Sequence, residues 1–436
     1  MSHVGTEAML GPAGLGSFLD GRVEPSWLTQ SRKQAWDLFQ KLEWPSRKSE
    51  EWMRSDLRGF HYDRYPFPGD SSDVEGTLVP NLLEGLNPAG RLSVVDGIVR
   101  EEQGVADLTS KGVVFGSLEK AAVEHEELVQ RWLHKLVPMQ TDRFTALHAA
   151  TWCGGQILYV PRNVAIAEPF YVHASMRDGG TDTGHTLIVL EDGAEATFVY
   201  ESTSPHAQAT GLHCGSVEIV VGQGAHLRYV NLQDWGRGVW HFAHQRAQVG
   251  RDASLQWTIA GMGAKFAQVS QQVALVGEGA SSQVNGVMFT QDRQQMTYNT
   301  LQHHRKPHCT SDFLYKSALQ DQSRTVWRGM IKVDPLAFKT DGYQRNDNLL
   351  LSDKSRADSI PGLEIEADDV RCTHGSTSGK VDEELIFYAQ SRGFTRREAT
   401  RMIVTGFFQQ IFDRITIESV RESLGKAIAK QVREYE

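Results

Sequence analysis

Ser216-Val217-Glu218-Ile219-Val220-Val221-Gly222-Gln223-Gly224-Ala225-His226-Leu227-Arg228-Tyr229-Val230 reads as a strand, a tight corner and a second strand. Val and Ile fill the first arm, and Leu227, Tyr229 and their neighbours alternate with polar residues in the second. Both patterns are those of β-strands. The corner returns as Glu191-Asp192-Gly193-Ala194, Gly250-Arg251-Asp252-Ala253 and Gly277-Glu278-Gly279-Ala280, each after a Val- or Leu-ended strand. The alanines at 194, 225, 253 and 280 lie 31, 28 and 27 residues apart. A unit of that length with two strands cannot bury its own face, so neighbouring units must cover it and the core becomes continuous. Glycine suits corners that require positive φ. An ordinary β-sandwich with similar turns is the alternative, but the recurring Gly-Ala corner favours a coiled parallel stack, a β-helix.

Working outward, the same period-two pattern covers Ile157–Val160, His185–Leu190, Ala196–Tyr200 and Leu255–Ile259. Before it, apolar residues at helical spacing predict helices over Trp27–Leu42, Leu118–Leu136 and Phe144–Trp152. Trp44-Pro45 stops the first of these and Gly154-Gly155 the last. A short strand is expected at Leu92–Val99 and a polar linker around Pro66 to Ser72. After Gly379 helical spacing returns over Glu383–Ser391, Thr395–Arg414 and Glu418–Tyr435. Thr395-x-x-Glu398 is a capping-box pattern, in which hydroxyl and carboxylate each satisfy an orphan backbone N–H. Three parts result: a helix-rich region over residues 1–152, a β-helix core over 153–380 and a helical domain over 381–436.

The chain has 436 residues, 40% of them hydrophobic, a net charge of −9 and a pI near 6.0. That balance supplies neither the basic face wanted by nucleic acid nor a polybasic membrane anchor. No apolar run is long enough to span a bilayer, and Met1 to Gly16 has neither signal-peptide nor transit-peptide character. Cys153, Cys214, Cys309 and Cys372 are far apart in sequence, which points to a reduced cytoplasmic chain.

Gly375-Ser376-Thr377-Ser378-Gly379-Lys380 has three residues between its glycines and Val381 after the lysine, so it is no phosphate loop. Thr377 also stands where a nucleophile elbow needs serine. His303, His304, His308 and Cys309 offer imidazole and thiolate donors suited to zinc, iron or copper. Yet 303 and 304 point to opposite faces of a strand, and Pro307 marks a turn, so the group also fits a set of polar corner residues. Cys372 and His374 follow Leu363 to Val370, where apolar and acidic residues alternate. If that strand continues, both project from one face and can share a soft metal. Two donors do not close a four-coordinate site, so the rest would come from a partner chain. A buried thiol and a backbone-bonded histidine are the other reading.

Around this pair the sequence resembles a known family. Leu349-Leu350-Leu351-Ser352, Pro361-Gly362-Leu363-Glu364-Ile365, Asp368-Asp369-Val370-Arg371-Cys372-Thr373-His374-Gly375, Phe387-Tyr388 and Ser391-Arg392-Gly393 are similar to the C-terminal core of the SufB/SufD family. Gln344-x-x-x-Asn348, Tyr315-Lys316, Gly329-x-Ile331-x-Val333 and Pro45-x-Arg47-Lys48-x-Glu50-Glu51-Trp52 extend the resemblance toward the N-terminus. The Cys-x-His-Gly form at 372–375 is similar to the SufD branch. His148 stands where the family more often has asparagine, and Ser376-Thr377-Ser378 replaces a more usual Ala-Thr-Val.

The resemblance implies a right-handed parallel β-helix flanked by helical segments. It implies pairing with a SufB-like subunit through the C-terminal strands and docking of a SufC-like ATPase on the helical regions. It also implies that His374, with Cys372 beside it, faces a transient iron or iron–sulfur cluster shared with the partner. A flavin would belong to the assembled complex only. Two other functions stay open at this stage. One is a carbohydrate-active β-helix enzyme, with Glu364, Glu366 and Asp368 as its only carboxylate cluster; the other is a SufB-like subunit that holds a cluster alone.

Overall fold

In the computed structural model, residues 9–11, 13–69, 83, 85–104 and 106–432 are described. The strands coil into a parallel β-solenoid of two facing sheets. One sheet takes Phe170–Ser175, Glu195–Thr203, His226–Asp234, Ser254–Gly261, Ser281–Thr290, Thr310–Leu319, Asp341–Leu350 and Arg371–Lys380 in that spatial order. The other takes Gln156–Val160, His185–Leu190, Thr210–Val221, Gly238–Val249, Phe266–Leu275, Gln295–His304, Arg324–Val333 and Arg356–Ile365. Consecutive strands alternate between sheets, so each strand pairs with the one two places on, a full turn away.

The corner alanines hold this coil. Ala194, Ala225, Ala253 and Ala280 are buried, and each carbonyl accepts the N–H that opens the strand one turn ahead: His226, Ser254, Ser281 and Thr310 in order. The ladder then runs on through residues the sequence pattern did not pick out. Asp341 N–H donates to the Cys309 carbonyl and Arg371 N–H to that of Thr340. Cys309 is therefore a corner residue of the repeat. Its buried thiol lies 3.2 Å from the Gly277 carbonyl, and burial pushes its pKa up.

Inward-facing side chains stack in columns, because parallel strands in register place equivalent residues one above another. One column runs Phe170, Phe198, Tyr229, Trp257, Val284, Phe313, Gln344, His374. All but His374 are buried, and Phe198, Tyr229 and Trp257 stack with ring centroids 5.8 and 5.2 Å apart. Offset and tilted aromatic stacks of this kind add to the area they bury.

The N-terminal region covers the outer face of the second sheet, and its strands extend the first turn of the solenoid. Helix Ser26–Lys41 packs on helix Arg143–Thr151. Trp36, Phe39, Trp52, Phe60 and Phe144 join Trp240, Phe242 and Phe266 of the solenoid in one cluster. Two expectations are refined. The strand expected at Leu92–Val99 is a hairpin of Gly90–Val95 and Ile98–Gln103, with Asp96 and Gly97 at φ 50° and 83°. Asp-Gly is a strong two-residue hairpin signal, since both positions tolerate positive φ. Gly90–Val95 then pairs parallel with Phe170–Ser175 and extends that sheet. The helix expected over Leu118–Leu136 is broken into Leu118–Glu124 and Glu126–Trp132. The second starts with Glu126 and Glu127, which complement its N-terminal dipole.

Glu383–Ser391, Arg396–Phe412 and Glu418–Gln431 form the C-terminal helices, and Thr395 with Glu398 makes the expected capping box. The end of the last expected helix, 433–435, lies outside the described residues, as do 70–72 of the expected linker. Val404, Phe408, Ile411 and Phe412 pack outside the first sheet against Val199, Val230, Val287 and Leu314. No described helix is long and apolar enough to cross a membrane.

Candidate functional site

The C-terminal end of the solenoid is open. Arg356–Ile365 and Arg371–Lys380 are the last strands of their sheets, and no described strand pairs with their outer edges. Leu363 stands in register with buried Ile331, and Ile365 with buried Val333. They continue interior columns in which Ile331 and Val333 follow Gln302 and His304, yet are 39% and 38% exposed because no further described turn covers them. An exposed strand edge with an apolar inner row is a ready template for another chain.

Toward this end the interior turns polar. Gln344, Asn346 and Asn348 are buried on the inward face of the penultimate strand of the first sheet. Gln344 Nε2 donates to the Gly362 carbonyl at 3.0 Å, and Asn348 Nδ2 to Asn346 Oδ1 at 2.9 Å. Ser359 Oγ reaches across from the other sheet to Asn346 Oδ1 at 2.8 Å. Such a network fixes the spacing of the two sheets where no aromatic stack does.

The strand expected over Leu363 to Val370 does not continue: it ends at Ile365, and the chain turns a corner with Asp369 at φ 55°. Cys372 and His374 lie on a new strand of the other sheet, where, in register with Gly342 and Gln344, they share one row. Cys372 packs beside Ile331, Val333, Ala337, Ala367 and Val370. Burial pushes its thiol pKa up, so it stays protonated near neutral pH unless a cation binds. His374 is exposed at the rim, as the end rung of the aromatic column.

The structure separates the group at 303–309. His303 faces outward and bonds Asp334 Oδ1 at 2.8 Å. His308 adopts φ 60° at a corner. Cys309 is the corner thiol described above. His304 is buried, bonds Ser311 Oγ at 2.8 Å, and is held near pKa 4 by burial. It comes closer to Cys372 than the sequence suggests. A side chain begun at Gly342 would meet Ile331, the Cys372 sulfur at 3.3 Å and His304 Nε2 at 3.5 Å. Glycine at 342 thus lets a thiol and an imidazole flank one point. The two groups are far apart in sequence; Cys372 is in register with Gly342 on the first sheet, and His304 reaches the same point from the facing sheet.

The acidic run does not form a catalytic groove. Glu364, Glu366 and Asp368 are exposed, and Glu364 pairs with Lys332 at 2.5 Å. The apolar face of helix Arg396–Phe412 is used up against the solenoid. In the C-terminal helical part, Leu385, Phe387, Tyr388, Phe394 and Met402 are exposed, with Phe387 at 73%.

Comparison with known proteins agrees with this architecture. Residues 172–407 match the family described as "SUF system FeS cluster assembly, SufBD core domain", and residues 22–172 match "SufBD protein N-terminal region". The chain is 29% identical over 418 residues to an iron-sulfur cluster assembly SufBD family protein of Staphylococcus epidermidis, covering 91% of this chain and 88% of that one. Proteins with the same description from Staphylococcus saprophyticus and Staphylococcus aureus are each 28% identical, with 91% of this chain covered and 88% and 87% of theirs. With both regions matched end to end and the solenoid in place, the chain belongs to the SufB/SufD family of iron–sulfur cluster assembly proteins.

Proposed function

We propose that this chain is a SufD-like, non-catalytic scaffold subunit that pairs through its open solenoid end with a SufB-like subunit. The observation that carries the reading is the uncovered interior at Leu363 and Ile365, flanked by two unpaired strand edges. A second solenoid of the same family has the matching strand spacing and an interior to continue the columns. Covering both side chains would stabilise the complex by about 1–2 kcal/mol each, on area alone.

In this reading the iron or nascent cluster is cargo, held at the junction. Cys372 and His374 supply two donors on one row, and the partner supplies the others. The thiol binds as thiolate, so binding releases a proton to water. The three parts divide the labour: residues 1–152 cover the second sheet and extend the first turn, 153–380 carry the interface, and 381–436 offer a dock. The exposed apolar set from Leu385 to Met402 suits a SufC-like ATPase, which would supply the ATP hydrolysis for which this sequence has no phosphate loop. Four free cysteines suit a reducing cytoplasm.

The test is co-expression with SufB-like and SufC-like subunits from the same source, followed by size-exclusion chromatography. The double variant Leu363→Lys with Ile365→Lys should keep the circular dichroism and stability of the isolated chain, because both side chains are already partly in water. It should elute free of the SufB-like subunit. A variant that still forms the full complex would remove the open end from the interface.

A further inference from the structure

A second group of histidines lies at the opposite end, in the seam between the N-terminal region and the first solenoid turns. His134 follows helix Glu126–Trp132, His148 sits on helix Arg143–Thr151, and His185 opens strand His185–Leu190. One ring nitrogen from each lies within 4.8 Å of the others.

The hydrogen bonds around them leave an excess of acceptors. His148 Nδ1 is 2.9 Å from the Cys214 carbonyl, which can only accept, so this nitrogen carries a proton. His185 Nε2 is 3.1 Å from Glu218 Oε2. Glu218 is already the acceptor for the backbone N–H of His134, Leu136 and Val137 at 2.6, 2.5 and 2.8 Å. Three such donors fix an ionised carboxylate; its charge favours a proton on His185 Nε2, although the two are not aligned as a hydrogen bond. The inner nitrogens, His148 Nε2 and His185 Nδ1, then face each other 3.0 Å apart, both with lone pairs. In these tautomers two imidazoles cannot bond there; a positive charge, a metal ion or a shared proton, must sit between them. His134 adds a third ring whose nitrogens are both buried and without a hydrogen bond. The pair His213–His241 differs: its nitrogens are 2.8 Å apart, and one neutral donor facing one neutral acceptor satisfies the contact.

We propose that His134, His148 and His185 bind one divalent transition-metal ion, of the zinc or ferrous class, at this seam. Each structural element of such a site is on hand. His148 has its outer N–H tied to a carbonyl, and the outer nitrogen of His185 lies beside a carboxylate, the kind of outer partner that orients metal-bound histidine. Three neutral imidazoles suit a borderline ion rather than a hard one such as calcium or magnesium. Bonds of 2.0–2.1 Å in a tetrahedron put neighbouring nitrogens roughly 3.3 Å apart. The His148–His185 pair is near that spacing already, and His134 must close by roughly 1.5 Å. Glu218 contributes negative charge behind His185, and the buried Arg32 nearby is engaged by Glu24 at 2.9 Å. The ion would tie the loop after Trp132 and the helix carrying His148 to the first sheet turns, as a structural staple distinct from the cargo at Cys372 and His374.

The test uses the full chain, stripped with a chelator and titrated with Co2+. One equivalent should bind and give the visible ligand-field band of low-coordinate cobalt, and mass spectrometry of the unstripped chain should find one zinc or iron per chain. His134→Ala removes a ring that bonds to nothing else, so the chain should fold and lose the band; His303→Ala, on the outer face, should keep it. The result that would overturn the proposal is stripped wild-type protein that folds but gives no band, in which case a shared proton fills the gap. A band unchanged in folded His134→Ala would overturn it equally.

Discussion

Asp182→Asn should stabilise the chain at pH 8 and leave it unchanged near pH 4. Asp182 ends the short strand Gly180–Asp182 and is 1% exposed. Its Oδ1 accepts from Gly184 N–H at 2.7 Å, while Oδ2 is buried without a hydrogen bond. Burial, with the Asp96 carboxylate nearby, pushes its pKa up to about 7 from an ordinary 3.8. Asp96 itself is committed to Arg177, which leaves Asp182 without a cation of its own. Below pH 4 folded and unfolded chains both hold the proton, and the folded state has its full stability. As pH rises from about 4 to 7 the unfolded chain loses the proton first, so stability falls until the folded carboxyl also ionises. The loss over that window is roughly 4 kcal/mol for a rise from 3.8 to about 7. Asparagine keeps an acceptor for Gly184 and cannot ionise. Urea unfolding followed by the fluorescence of the ten tryptophans reads the midpoint at each pH. The difference between variant and wild type cancels titrations common to both. A gain of about 1–4 kcal/mol at pH 8 that vanishes near pH 4 is the expected result. Equal midpoints at both pH values, or a less stable variant at pH 8, would refute the reasoning.

Two further predictions concern packing. Trp327→Ala empties a fully buried position in the last aromatic layer, between Tyr298 and Ser359 in register, and should cost about 3–5 kcal/mol in urea unfolding. Phe408→Asp places a charge between the C-terminal helices and the first sheet; limited proteolysis should then cut between Lys380 and Thr395, while circular dichroism keeps the β signal of the solenoid.

The coil was legible because its corner carries a local signature. A glycine-containing corner closed by alanine, at a spacing near 29, marks a turn without knowledge of what pairs with it. The same ladder continues at Cys309 and Thr340, but there a thiol and a hydroxyl replace the alanine, and the spacing alone was left to show it. The Asp96-Gly97 hairpin was in the sequence too, hidden inside a run that read as one strand. At the candidate site, alternation placed Cys372 and His374 on one row. What it could not give was the register across turns. That register sets Cys372 beside Gly342 and His304, and sets His374 at the end of an aromatic column. His134, His148, His185 and Glu218 come from four separate elements, none within a motif, and only the closed fold brings them together.

The most direct measurement is native mass spectrometry of the chain purified anaerobically from its source, comparing wild type with His374→Ala. The account predicts that both carry SufB-like and SufC-like partners, and that His374→Ala, altering an exposed rim residue, keeps the complex but loses its share of bound iron. A chain that purifies alone would contradict the scaffold reading, and a mutant complex with undiminished iron would contradict the role given to His374.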